Sequence, residues 1–411
     1  MTLSPFLHPF ARPTATDFIT IVRGEGAAVF DDAGKRYVDG LASLWYCNVG
    51  HGRPEIIEAV TRQMEQLEDY NTFDIFTNRP AEDIAAAVAA LSPIPDSRVF
   101  LTCSGSEAVD TALKLARLTF SRQGRPDRQL FVGRNLAYHG VNFGGVSVQG
   151  LPLNQQGWGD LIPVAQIGHD DLARAEALFH EQGDQIAAVI AEPVIGAGGV
   201  YPPEADYLQG LRKLCDEVGA LLIFDEVITG FGRLGSWFAA EHYGVTPDLI
   251  TFAKAVTSGY QPLGGVIVGP RVREAIEDDP DFILRHGYTY SGHPAACAAA
   301  LANLAILRDE RLLDRVPGLA GRFGDAFGAL VDDGLAAEAR GEGAIWAVAM
   351  PEGVSAFDVR QGLLDRGVIA RPIGAAAVAF CPPLVIDEED LQLCFDALRA
   401  ALIEARPGPA R

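Results

Sequence analysis

The spacing of apolar residues along the chain changes period more than once. PEIIEAVTRQMEQLEDY (54–70) and RPAEDIAAAVAALSPI (79–94) carry helical periodicity. Upstream, AAVFDDAGKRYVDG (27–40) reads as a hairpin turning at Asp32-Ala33-Gly34. Short apolar runs then take over: SRVFLT, RQLFVG, IAAVIAEP, LLIFDEV, LITFAK and GGVIVG. Two of the gaps between them hold clear helices, SEAVDTALKLARLTF (106–120) and ADYLQGLRKLCDEVGA (205–220). Strands alternating with helices predict a mostly parallel central sheet covered on both faces, an α/β fold.

From about Gly292 an Ala/Leu-rich helical stretch runs to residue 334, followed by GAIWAVAM, the helix AFDVRQGLLDRG, strands around IARPIG and AVAFCPP, and a terminal helix from Glu388. That tail reads as a small α+β unit. The expected layout is an N-terminal segment of a small domain (1–50), a large domain (51–300), and the C-terminal part of the small domain (301–411). No internal repeat or low-complexity tract is visible.

Composition narrows the choice. The 411 residues are 48% hydrophobic and 21% charged, with a formal net charge of −21. That balance argues against nucleic acid or an anionic membrane surface as partner, since both demand basic patches. Cys47, Cys103, Cys215, Cys297, Cys381 and Cys394 are scattered without CxxC or Cys/His spacing, so free thiols in a reducing compartment are expected and no metal site. The N-terminus lacks a basic region followed by an apolar core. The most apolar stretch, Pro294 to Leu307, is too short to span a bilayer and contains Asn303. The expectation is a soluble, cytoplasmic protein.

The chemistry lies where apolar runs end in charge. LLIFDEV carries Leu221 to Phe224 straight into Asp225 and Glu226, and LITFAKAV ends another run in Lys254. Ligands of parallel sheets bind at the carboxyl ends of the strands. A lone lysine there also reads as a salt-bridged or snorkelling side chain. Two such anomalies at corresponding strand ends point further, because a lysine Schiff base with an aspartate against the pyridinium nitrogen is how pyridoxal 5′-phosphate (PLP) is held. Ser104-Gly105-Ser106, between a strand and a helix opening with Glu107, suits a phosphate, although alone it is an ordinary N-cap. Val227, two positions after Asp225, and Tyr138, in AYHG with His139, offer faces for a planar ring.

SGSEAVDTALKLAR, AYHG, AEPVIGAGG, FDEVITGFGR, TFAKAVTSGYQPLGG and TYSGHPAACAA, in this order, resemble the class III (ω-type) PLP-dependent aminotransferases of fold type I, from HPF at 8–10 to CPPLVI at 381–386. The resemblance implies that Lys254 carries the cofactor, Asp225 meets the ring nitrogen, Val227 and Tyr138 lie on the ring faces, and Gly105 and Ser106 hold the phosphate. It implies that Thr289 reaches the phosphate of a neighbouring subunit, hence a homodimer with shared sites; pairing of dimers into tetramers stays open. Glu192 and Glu226 read either as pocket carboxylates that orient neighbours or as structural groups.

On the substrate side, Trp45, Phe10, Phe73 and Tyr138 match the aromatic pocket of amine:pyruvate members, although Trp45 and Phe73 also read as core residues. Arg371 matches the arginine that pairs with substrate carboxylate. Ornithine- and 4-aminobutyrate-type relatives neutralise that arginine with a glutamate after EPxxG, where this chain has Ala197. The function implied is transfer of an amino group from a primary amine or ω-amino acid to pyruvate by a ping-pong route. The alternatives are a same-fold aminomutase or a transaminase for another amino acid donor. A regulatory PLP-binding protein would need a DNA-binding appendage or a lost lysine. A dinucleotide-binding oxidoreductase would need G-x-G-x-x-G, and GAGG at 196–199 lacks that spacing.

Overall fold

The computed structural model describes residues 4–406. Its centre is a seven-stranded sheet in the order Arg98–Thr102, Gly264–Val268, Leu249–Phe252, Leu221–Asp225, Ile186–Ala191, Leu130–Arg134, Val164–Ile167. Only Gly264–Val268 runs against its neighbours; the others share one direction, so their carboxyl ends lie along one edge.

The apolar runs are continuous because each face of the sheet packs on its own core. Leu221, Ile223 and Leu249 join a cluster with Ala108, Val109 and Ala112 of the helix Gly105–Arg122. Leu222, Phe224, Ile250 and Phe252 join another with Leu208, Leu211 and Cys215 of the helix Tyr207–Val218. Strand alternation therefore assigns Asp225 to the face of the helix Gly105–Arg122 and Glu226 to the opposite face.

The expected hairpin is present: Ala28–Asp31 pairs with Arg36–Asp39. Gly34, at φ +82°, turns it, donating its N–H to Asp31 O at 3.0 Å. Val368–Ile369, from the far end of the chain, adds to Arg36–Asp39 in parallel, so both termini build one four-stranded sheet. A second four-stranded sheet follows the order Glu338–Glu342, Ile345–Ala349, Ala377–Phe380, Arg371–Ile373. The guanidinium of Arg233, fully buried, ties three stretches together, donating to Asn48 Oδ1, Ala344 O and Pro382 O.

The structure differs from the sequence reading in several features, of which three bear on its layout. The edge strand Val164–Ile167 was not expected, because a four-residue, half-buried segment containing Gln166 shows no apolar run. The helical stretch after Gly292 is broken into Pro294–Asp309 and Val316–Asp332 at Arg311, whose φ of +53° no helix continues. Residue 300, where a domain boundary was expected, lies inside the first of these helices. All six cysteines are free thiols, five of them buried. No helix among the described residues is long and apolar enough to cross a membrane.

Candidate active site

Asp225 ends its strand 5% exposed, and both carboxylate oxygens are held. Oδ1 accepts from Thr251 Oγ1 at 3.0 Å and from the Val227 amide at 3.2 Å. Oδ2 stands 2.7 Å from His139 Nδ1. His139 is itself buried, and its Nε2 has no partner among the described residues. Thr251 escaped the sequence reading because a threonine inside a strand is ordinary. The signal was its register: it pairs directly with Asp225 on the neighbouring strand and shares its face.

One strand over, Glu192 follows Ile186–Ala191 and accepts from the amides of Tyr138 (2.8 Å) and Gly196 (3.0 Å). Burial pushes its carboxyl up, His139 opposes that, and the Asp225 charge adds to it. Glu226 goes elsewhere. Its carboxylate accepts from Thr229 Oγ1 and from the amides of Ala239 and Ala240, at the start of the short helix Ala239–His242. It caps a helix on the other face, so the site gathers Asp225 and Glu192 but not Glu226.

The chain has four lysines. Lys35 bonds Leu364 O, Lys114 meets His286, and Lys213 is exposed beside Glu217. Lys254 alone among them is half-buried, the other three being exposed. It follows the strand Leu249–Phe252 with φ +49°, a left-handed conformation that costs about 1–3 kcal/mol in a residue with a Cβ. Burial lowers its amine below the ordinary lysine range, while Asp225 and Glu192 push it back up. A lowered pKa favours the neutral amine, the form that acts as nucleophile and base.

The SGS segment lies beside it. Ser104 Oγ accepts from the Glu107 amide and Glu107 Oε2 from the Cys103 amide, a reciprocal cap. The amides of Gly105 and Ser106, in the first turn of an 18-residue helix, have no carbonyl one turn back to bond. A Cβ on Gly105 would come within 3.0 Å of Val227 Cγ1 and 3.6 Å of Ala253 Cβ, so the helix start abuts both strand ends. Ser106 Oγ accepts from the Val141 amide at 3.0 Å, and a Cβ on Gly140 would lie 2.5 Å from that hydroxyl oxygen, which docks the AYHG segment on the helix.

Arg371, on the strand Arg371–Ile373, is half-buried and forms no ion pair among the described residues. Burial lowers its pKa and the Tyr138 phenol opposes that, while the Arg371 charge in turn lowers the Lys254 amine. Tyr138, half-buried, is pushed up by burial, with Arg371, Asp225 and Glu192 all acting on its hydroxyl. Trp45 is 3% exposed, packed with Val194, Ile228 and Cys381. Ala197 is half-buried in the loop after Glu192. Phe10, Phe73 and Thr289 are exposed on this chain and stand outside the cluster. Phe73 faces the segment of Thr289, its ring 3.0 Å from where a Cβ on Gly287 would be.

The donor set suits PLP: a buried amine with a lowered pKa, a clamped carboxylate, a glycine-opened helix N-terminus able to take a phosphate, and a β-branched and an aromatic side chain nearby.

The chain matches the family model for aminotransferase class-III over residues 10–402. It is 37% identical to a putrescine–pyruvate aminotransferase of Pseudomonas aeruginosa, over 93% of this chain and 91% of that one. It is 38% identical, with the same coverage, to a β-alanine–pyruvate aminotransferase of the same organism. Among solved structures, a PLP-bound amine transaminase from an uncultivated Pseudomonas species superposes with a TM-score of 0.94 at 34% identity, covering 98% of this chain and 99% of that one. A sheet whose strand ends gather Lys254, Asp225 and the SGS helix start is thus shared with enzymes of one reaction class, and the chain belongs to the class III aminotransferases, which use PLP.

Proposed function

We propose that this aminotransferase moves an amino group from a primary amine or ω-amino acid to pyruvate in two half-reactions at one site. The observation that carries the reading is Arg371: a half-buried guanidinium with no ion-pair partner among the described residues, in a chain with Ala197 where a neutralising glutamate would sit. An unpaired fork is free to take the carboxylate of an oxo acid. The names of the putrescine–pyruvate and β-alanine–pyruvate relatives support the same substrate pair.

PLP, when bound, supplies an electron sink for the pair left on the substrate carbon. The protein's part is to hold and move protons. Asp225, whose Oδ1 accepts from Thr251 Oγ1 and the Val227 amide, would hold a proton at the ring nitrogen. His139 fixes the other oxygen of Asp225 and so its direction. Lys254 Nζ would take the proton from the substrate carbon. The Gly105 and Ser106 amides take the phosphate, with Thr289 of a second copy completing the cradle. Phe10 and Phe73 of that second copy, with Trp45 and Tyr138 of the first, wall an apolar pocket. The active form is then a homodimer, and the free thiols fit a cytoplasmic location.

The test is the visible absorbance of the PLP-loaded protein. It should fade on adding 1-phenylethylamine, putrescine or β-alanine and return on adding pyruvate. A spectrum indifferent to all three donors, with an amino acid isomerised in the absence of any oxo acid, would make the protein an aminomutase instead.

A further inference from the structure

The lysine-bearing turn is supported by a residue that belongs to none of the motifs. Asn303 sits in the middle of the apolar helix Pro294–Asp309, fully buried among alanines and leucines. A buried amide in such a helix is costly unless its hydrogen bonds are used. Both are used on one target: Asn303 Nδ2 donates to Ala255 O at 2.8 Å and to Val256 O at 3.0 Å. Those carbonyls belong to the short 3-10 turn Lys254–Val256. Asn303 Oδ1, by contrast, is buried with no partner among the described residues, so the side chain is held by its donors.

The turn needs such a restraint. Lys254, which opens it, and Ser258, two residues beyond its end, have φ of +49° and +48°, so left-handed residues bracket it. Its own bonds are long, Thr257 N to Lys254 O and Ser258 N to Ala255 O both at 3.3 Å. A relaxed Lys254 would leave the strand in a different direction, and misplacement of a reacting group by about 1 Å can cost about 100-fold in rate.

We propose that Asn303 is a positioning residue: by clamping the carbonyls of residues 255 and 256 it holds Lys254 in its left-handed conformation and aims the amine at the reacting carbon. This rests on Lys254 being the reactive lysine.

The test compares Asn303→Ala and Asn303→Asp, which remove the paired donors, with Leu304→Ala, a core truncation on the same helix. In the PLP-loaded enzyme, Asn303→Ala is expected to lower kcat at least tenfold while KM for donor and acceptor stays within about twofold. In the cofactor-free protein, amide exchange across residues 255–258 is expected to quicken in both Asn303 variants and not in Leu304→Ala. If Asn303→Asp does not fold, Asn303→Ala decides, since alanine suits that helix. Wild-type kcat and exchange in Asn303→Ala would overturn the proposal. So would an equal kcat loss in Leu304→Ala at the same drop in Tm. Borohydride reduction and peptide mapping report separately on the premise: label on a lysine other than Lys254 would sink the assignment of the reactive residue, whatever the exchange data say about Asn303.

Discussion

Two regions of this molecule carry the residues matched to the family's active site, and they are built in opposite ways. At the carboxyl edge of the sheet, Asp225, His139 and Glu192 are buried, and every oxygen of the two carboxylates has a partner. On the outer surface, Phe10 is 75% exposed and Phe73 46%, and Thr289 is exposed as well. Yet that surface is ordered: Thr72 Oγ1 donates to Ser291 O at 2.9 Å, and Asn78 Nδ2 to Gly292 O at 2.9 Å, which runs segments 72–78 and 287–292 side by side. The buried region holds the groups proposed to move protons, and their hydrogen-bond partners come from the same chain. The exposed region holds apolar side chains with nothing of their own chain to cover them, as expected of groups that serve a second copy.

The largest effects break the two regions apart. Lys254→Ala should lower turnover by about 10⁴-fold, the range of a lost proton-transferring group, while Lys213→Ala changes nothing. Phe73→Asp should also abolish activity by placing a charge in the partner's apolar pocket. Mixed and reassociated in equal amounts, the two inactive chains should recover about a quarter of wild-type activity, because half the dimers are mixed and each has one intact site. No recovery on mixing would mean that Phe73 serves its own chain, and the comparison fails.

A smaller effect sharpens the substrate side. Ala197→Glu gives Arg371 a carboxylate partner, and charged hydrogen bonds of that kind are worth about 1.5–3 kcal/mol. KM for pyruvate should rise by about 10- to 100-fold, with the rate of the amine half-reaction within about twofold of wild type. An unchanged pyruvate KM would remove Arg371 from the pocket. Smaller again is Thr251→Val, which keeps the strand and deletes one hydrogen bond to Asp225. A loss of about 1 kcal/mol predicts about a fivefold fall in kcat at constant KM, and no change would show that the Val227 amide and His139 suffice.

Asp225 and Lys254 could be read in the sequence because a charge ending an apolar run contradicts its surroundings. So could the order of the central strands' chemistry, since parallel strands bring their carboxyl ends to one edge. The supports were not legible. Thr251 and Asn303 are residue types that strands and helices tolerate, and what they do depends on partners 26 and 47 to 48 positions away. The strand Val164–Ile167 lies at the sheet edge, where half-burial relaxes the demand for apolar residues. Glu226 is instructive: the sequence left it open between a pocket carboxylate and a structural group, and because successive residues of a strand face opposite ways it caps a helix on the other side of the sheet.

That opposition gives the finest test, because the two carboxylates should differ in what they do rather than in how buried they are. Burial pushes the Glu226 carboxyl up to about 7, from an ordinary 4.5, against the pull of the Ala240 and Ala239 amides and the Thr229 hydroxyl. The folded chain therefore binds this proton more tightly than the unfolded chain. The stability it contributes is full below the unfolded value and is lost as pH rises through about 7. Glu226→Gln removes the titration and replaces one accepting oxygen of the helix cap by a donor. The variant should melt lower than wild type, with the gap widest at acid pH and narrowing towards alkaline pH, while turnover per folded molecule stays near wild type. A gap that instead widens with pH would mean that the cap depends on the ionised carboxylate. A fall in turnover comparable to that of Thr251→Val would return Glu226 to the side of the sheet that carries Asp225.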